Sequence, residues 1–356
     1  MASRQVRLRP RITPQEDYGF FGPESVTWKV WSYPTSLTVG FQRAVVVEEL
    51  DPALVASVDG TQAIFDRPRT RYDRTLRYFA LVAFGDSRTT SKAADVLVKV
   101  HSKGIGTDPV TGVRYDANDP ESQLWIHLTA WHSILFAYER YGPGRLSPAE
   151  EARYWEECAL AAELQTCSPD GVPRTRSGVQ AYFERMRPQL VASDVARHAM
   201  NHLLDARVML PQAPRVITPL HRVATTALRI GTIATMPRWM REMSGLRQPR
   251  VLDVAIRPLL RIAFALANVN NRFKLEAITY LSPMTRDVVA PVLYGVPPRR
   301  PVVRTPADAR AEYGYDRPAD AHRGLRARQA AKVFDDHGAP SDVGIVESEE
   351  VLGHTG

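Results

Sequence analysis

Apolar positions along this chain recur with the helical period of 3.6 residues, and few segments alternate with a period of two. The clearest stripe is Ala94, Leu97, Val98 and His101, at i, i+3, i+4 and i+7, which puts a histidine on the apolar face of a helix. Asp86 or Ser87 can cap that helix, and Gly104 and Gly106 close it. A second stripe holds Leu124, His127, Leu128, Trp131, Ile134 and Leu135, in a helix from Pro120 to Tyr141 with Asp119 as its cap. Ser147 with Glu150 three residues later is a capping-box pattern at the head of a further helix.

The same reading predicts a short helix over Pro23–Val30, a helix over Gln42–Val58 and two helical pieces over Thr61–Phe84, interrupted at Pro68. Helices also fit Thr175–Arg187, Ser193–Val208, Ile217–Met243 with a break at Pro237, and Leu252–Ala267. TDPVTGVRYDANDP reads as a turn-rich loop. The expected fold is all-α: one large helical domain over residues 23–296, preceded by a basic extended arm over 1–22. From 297 to 356 the chain is Pro/Arg-rich and then acidic, the composition of a partly disordered surface tail.

Charge adds little to this picture. The formal net charge is +7, and of 46 basic residues only six are lysine. The arginines are spread along the whole chain instead of clustering with aromatics, so no nucleic-acid partner is expected. No run of eighteen apolar residues is present, and the first residues have no apolar signal core. Cys158 and Cys167 form no disulfide framework, so a cytoplasmic protein is expected. The segments Ile217–Met243 and Leu252–Ala267 are amphipathic and Arg-flanked, a pattern shared by core helices and by helices that lie on a membrane surface.

The sequence has no P-loop, HExxH, GxSxG, CxxC or GxGxxG pattern, which argues against P-loop, zincin, hydrolase, zinc-ribbon and Rossmann chemistry. The histidines carry more. His101 and His127 each lie on an apolar helical face, where a neutral imidazole can serve as a satisfied core residue or as a haem ligand. His198 and His202 are one helical turn apart, a spacing able to bind a metal but without a third ligand nearby in sequence. Arg71, Arg74 and Thr75 lie on the preceding helix, as a solvated face or as the polar edge of a cofactor pocket.

RYDRTLRYFALVAFG, followed by VKVHSKGIGTDPVTGVRYDANDPESQLWIHLTAWHSILFAYERYG, resembles the signature block of the MpaB/latex-clearing-protein (rubber oxygenase) family. The earlier stretch with Arg43, Ala44, Asp51 and Pro52 resembles it too, and the likeness spans about Pro23 to Phe183, thinning towards Leu266. The resemblance implies an all-α, globin-like core that binds haem b and uses dioxygen to cleave a carbon–carbon double bond of a hydrophobic, isoprenoid or lipid-like molecule.

In the family an Arg-x-x-Lys-Thr motif precedes the helix of the proximal histidine. Here those positions read Arg71, Arg74 and Thr75, and the histidine that follows is His101, the implied iron ligand. His127 matches a second family histidine, assigned to the cofactor pocket. Arg74 replaces the family's lysine, and an arginine stays protonated and is a poor iron ligand, so a lysine-capped distal side is not expected. Glu48 and Glu49 lie at the rough position of the rubber enzymes' distal glutamate, and neither is assigned that role. The alternative reading is a haem- or hydrophobic-ligand-binding protein without turnover, peripheral to a membrane.

Overall fold

The computed structural model describes residues 12–108, 112, 114–209, 218–339 and 345–352. Its elements start where local chemistry dictates. α1 (Val26–Trp31) opens at Ser25, whose hydroxyl accepts from the Trp28 N–H. A π turn, Ser36–Gly40, runs into α2 (Phe41–Glu48). The helix expected over Gln42–Val58 is broken at Asp51: its backbone is extended, its side chain accepts from the Leu54 N–H, and Pro52 begins α3 (Pro52–Thr61). A proline at the first helical position loses no hydrogen bond, so Asp-Pro starts a helix more readily than it continues one. α4 (Ala63–Asp66) and α5 (Pro68–Phe84) are the two pieces expected around Pro68. α6 (Ser87–His101) is capped by Asp86.

The turn-rich loop after His101 contains an antiparallel ribbon, β1 (Ile105–Thr107) with β2 (Arg114–Asp116), in the register Gly106 opposite Tyr115. α7 (Pro120–Tyr141) follows its Asp119 cap, and α8 (Pro148–Ala162) opens with the expected capping box. α9 (Arg176–Met186), α10 (Asp194–Leu204), α11 (Ala206–Met209), α12 (Thr218–Thr235), α13 (Arg238–Met243), α14 (Arg250–Val269), α15 (Asn271–Leu281) and α16 (Arg286–Tyr294) complete the region expected to be helical. The described residues thus hold helices and one two-stranded ribbon, and one main apolar core runs from Phe20 to Leu352, beside a small cluster of Val58, Ile64 and Ala199: the fold is one all-α domain.

α7 is the axis of that core. It packs against α1, α2, α8, α12, α14 and the π turn, and Trp125, Leu128, Trp131 and Ile134 are at most 1 % exposed. Gly40 lets the π turn close on α7, because a Cβ there would stand 3.0 Å from the Ile134 Cα. Trp131 meets Trp31 at 5.1 Å between ring centroids and Tyr154 at 5.1 Å. On the rim, Arg176 holds three helices together, donating to Glu139 of α7 at 2.6 and 3.0 Å and to Glu151 of α8 at 2.7 and 2.8 Å.

The stretch from 297 onwards, expected as a surface tail, contains α17 (Pro306–Tyr313), α18 (Pro318–Ala330) and α19 (Ile345–Leu352), all packed on α6. Arg326 pairs with Asp116 at 2.9 Å and with Asp119 at 2.8 Å. Of the expected arm, residues 12–22 are described, and they pair along this stretch: the N–H groups of Arg299, Arg300 and Arg304 donate to the carbonyls of Gln15, Glu16 and Gly19. Asp17, fully buried, accepts from the backbone N–H and the hydroxyl of Ser87 and so anchors the arm to the start of α6. An anion at a helix N-terminus is favoured by the unpaired N–H groups there. Gly19 is required at this crossing: its φ is +66°, and a Cβ would fall 2.1 Å from the Gly85 carbonyl oxygen.

Candidate functional site

α2 ends at Glu48, and Glu49 follows as its cap. The Trp125 indole N–H of α7 donates to the Glu48 carbonyl at 3.2 Å and fixes that end against the core. Both acids are buried, and Glu48 Oε1 and Glu49 Oε2 have no hydrogen-bond partner. An unpartnered carboxylate oxygen out of water disfavours the charged form. Burial therefore pushes both acids up to about 8, Glu49 adding to the rise of Glu48, while the nearby Arg71 guanidinium opposes it.

Arg71 lies early in α5. Burial lowers its proton affinity and the two glutamates restore part of it. It forms no direct ion pair with either, so its charge acts across a gap. Arg71 as a whole residue remains exposed to solvent.

His101 is the last residue of α6. A helix C-terminus favours a protonated imidazole, but here burial, and after it the Arg71 charge, hold the ring down at about 4. The imidazole is therefore neutral at pH 7, with one of its two nitrogens unprotonated. Nδ1 lies 3.4 Å from Gln123 Nε2 of α7, and the same amide nitrogen donates to the Ala117 carbonyl at 2.7 Å. Among the described residues Nε2 has no hydrogen-bond partner. With the Gln123 nitrogen facing Nδ1, the ring proton belongs on Nε2; turning the amide offers its oxygen instead and moves the proton to Nδ1.

Of the three α5 residues singled out in sequence, Arg71 is the one brought to His101. Arg74 donates to Ser348 of α19 at 2.7 Å, with Glu349 supporting its charge. Thr75 turns its hydroxyl back to the Arg71 carbonyl at 2.8 Å. His127, 1 % exposed, faces α8: its Nε2 lies 2.7 Å from the Cys158 carbonyl, and burial lowers its pKa to about 4. His198 and His202 both lie against Phe65, and His202 Nε2 meets the Ile64 carbonyl at 2.8 Å. Among the described residues no group of three His, Cys, Asp or Glu side chains is placed to hold a bare metal ion. Gln123 carries no motif and was missed in sequence.

The site is thus a neutral imidazole, a cation and two acids of raised pKa, delivered by α2, α5 and α6 and braced by α7. It offers one lone pair for a ligand and one carboxyl pair able to hold or release a proton near neutral pH. The family described as ER-bound oxygenase mpaB/B'/Rubber oxygenase, catalytic domain, matches residues 28–269, well over half of the chain. The chain belongs to this family. No curated protein and no solved structure matches it. The matched region of this mpaB/rubber-oxygenase chain runs from α1 to the end of α14 and contains every residue of the site. The helices that clasp α6 from outside, α17 to α19, lie beyond it. No helix of the described residues is long and apolar enough to cross a membrane.

Proposed function

We propose that this mpaB/rubber-oxygenase domain is a haem b-dependent oxygenase acting with dioxygen on a hydrophobic, lipid-like alkene. The observation that carries the reading is the neutral His101, held in the protein beside Arg71 with no partner on Nε2. The donor chemistry fits the cofactor: iron-porphyrin needs a single neutral imidazole from the protein, which His101 offers. The orphaned oxygens of Glu48 and Glu49 suit a space that a further group fills.

Haem b, when bound, supplies the site at which dioxygen is activated. His101 holds it. Ligation through Nε2 would need the proton on Nδ1, so the Gln123 amide would have to turn its oxygen to Nδ1 and give up its bond to the Ala117 carbonyl. Glu48 and Glu49, poised near neutrality, take up or hand over a proton at their carboxyl oxygens. Arg71 keeps their affinity from rising further and keeps His101 unprotonated. His127 is then a brace between α7 and α8.

The test is an absorption spectrum of the purified protein, oxidised and reduced, with a pyridine haemochrome assay. About one haem b per chain is expected. The His101→Ala variant is expected to lose the Soret band or shift it, and His127→Ala to keep it. Stoichiometric haem and an unchanged spectrum in His101→Ala would sink the assignment. Oxygen-dependent product from an isoprenoid alkene would establish turnover.

A further inference from the structure

α14 is anchored by a narrow line of residues. Ile256, Leu260 and Phe264, spaced by four, are its buried side chains, and nearly all the rest of the helix faces outwards. What it turns outwards is apolar: Val254 is 72 % exposed, Leu259 63 %, Ile262 60 % and Leu266 70 %. Phe273 of α15 continues the surface at 57 %. A contiguous apolar face of this kind calls for an occupant.

The charges indicate which. Arg250, Arg257 and Arg261 follow one another at i, i+7 and i+11, along the flank between the buried line and the exposed apolar face. Arg257, Arg261 and Arg272 form no ion pair among the described residues. The one acid of α14, Asp253, is engaged by Arg241 at 2.9 Å and by Gln248 at 2.6 Å. A second copy of the chain docked on this face would bring more arginine and no free carboxylate from α14. A lipid surface brings both an apolar interior and rows of phosphate.

We propose that α14 is a membrane-docking helix that lies in the plane of an anionic bilayer, with its apolar face among the acyl chains and its arginine flank on the phosphates. The inference goes beyond the oxygenase reading and stands whether or not haem binds.

The experiment is co-sedimentation of the full chain with vesicles of phosphatidylcholine alone and of phosphatidylcholine mixed with phosphatidylserine. The wild-type chain is expected to sediment with the mixed vesicles, and less so as salt is raised. The paired change Arg257→Gln with Arg261→Gln is expected to weaken partition about thirty-fold. Leu259→Ser with Leu266→Ser is expected to weaken it at least about ten-fold on both vesicle types. All four positions are exposed, so far-UV circular dichroism should be unchanged. A wild-type chain that stays in the supernatant with both vesicles, or variants that bind as well as wild type, would overturn the proposal. So would a dimer that the leucine changes dissociate and vesicles do not compete with.

Discussion

Arg176 and Arg71 each face two glutamates, and the two trios behave in opposite ways. Arg176 reaches both partners with four hydrogen bonds at a half-open rim, which lowers the pKa of Glu151. Arg71 touches neither of its glutamates, and burial carries both up to about 8. The composition is the same, and the difference is whether the carboxylates meet the guanidinium: Glu48 and Glu49 are buried without touching it, while Arg71 itself is exposed. A completed trio joins helices, whereas a buried acid pair left out of contact with its cation stores proton affinity that a bound group or a reaction can use.

The sharpest way to break this contrast is pH. An acid whose folded pKa is raised from 4.5 to about 8 gives stability that is full below 4.5 and is lost as pH rises through 8. Each unit is worth about 1.4 kcal/mol. Urea unfolding of the cofactor-free wild type should therefore lose several kcal/mol across that window, and Glu48→Gln with Glu49→Gln should flatten the loss. An unchanged slope in the double variant would mean that the acids are not coupled to folding.

Arg176→Ala should cost about 1–2 kcal/mol at neutral pH, a figure discounted because a third of that side chain is in water, and should leave the pH slope alone. Gln123→Leu should cost about 1 kcal/mol and weaken haem retention about ten-fold, read by hemin titration. Arg71→Leu is the finest probe. Removing the cation should raise the His101 pKa from about 4 by about one unit, followed by NMR of the imidazole protons. A histidine with a lowered pKa gives stability that is present above 6.5 and lost as pH falls through 4, so this variant should lose less in acid than wild type does.

The parts of the molecule legible in sequence were those governed by near neighbours. Asp86, Asp119 and Ser147 with Glu150 announce helix starts because a cap and its N–H partner are two or three residues apart. His101 and Arg71 were legible from the family motif. Gln123 was not, because its contact with His101 crosses a ribbon and 22 residues, and nothing local marks it. Glu48 and Glu49 could be named only by rough position; what distinguishes them is the absence of partners, which no sequence displays. The stretch after 297 read as a tail because its composition is polar and Pro/Arg-rich. Its order comes from pairings such as Arg326 with Asp116 and Arg74 with Ser348, which span some two hundred residues or more.

That wrapping of α6 has a consequence for how the protein is made. The helix whose far end bears His101 is clasped by Asp17 from the start of the chain and by α17, α18 and α19 from well over two hundred residues downstream. During synthesis, the ribosome must release residue 352 before the last of these clasps can close. The segment from α2 to α7, which carries the acids and the imidazole, thus emerges well before α19 and waits for that cover. A nascent chain arrested before α19 should leave the faces of α5 and α6 that α19 covers open to solvent.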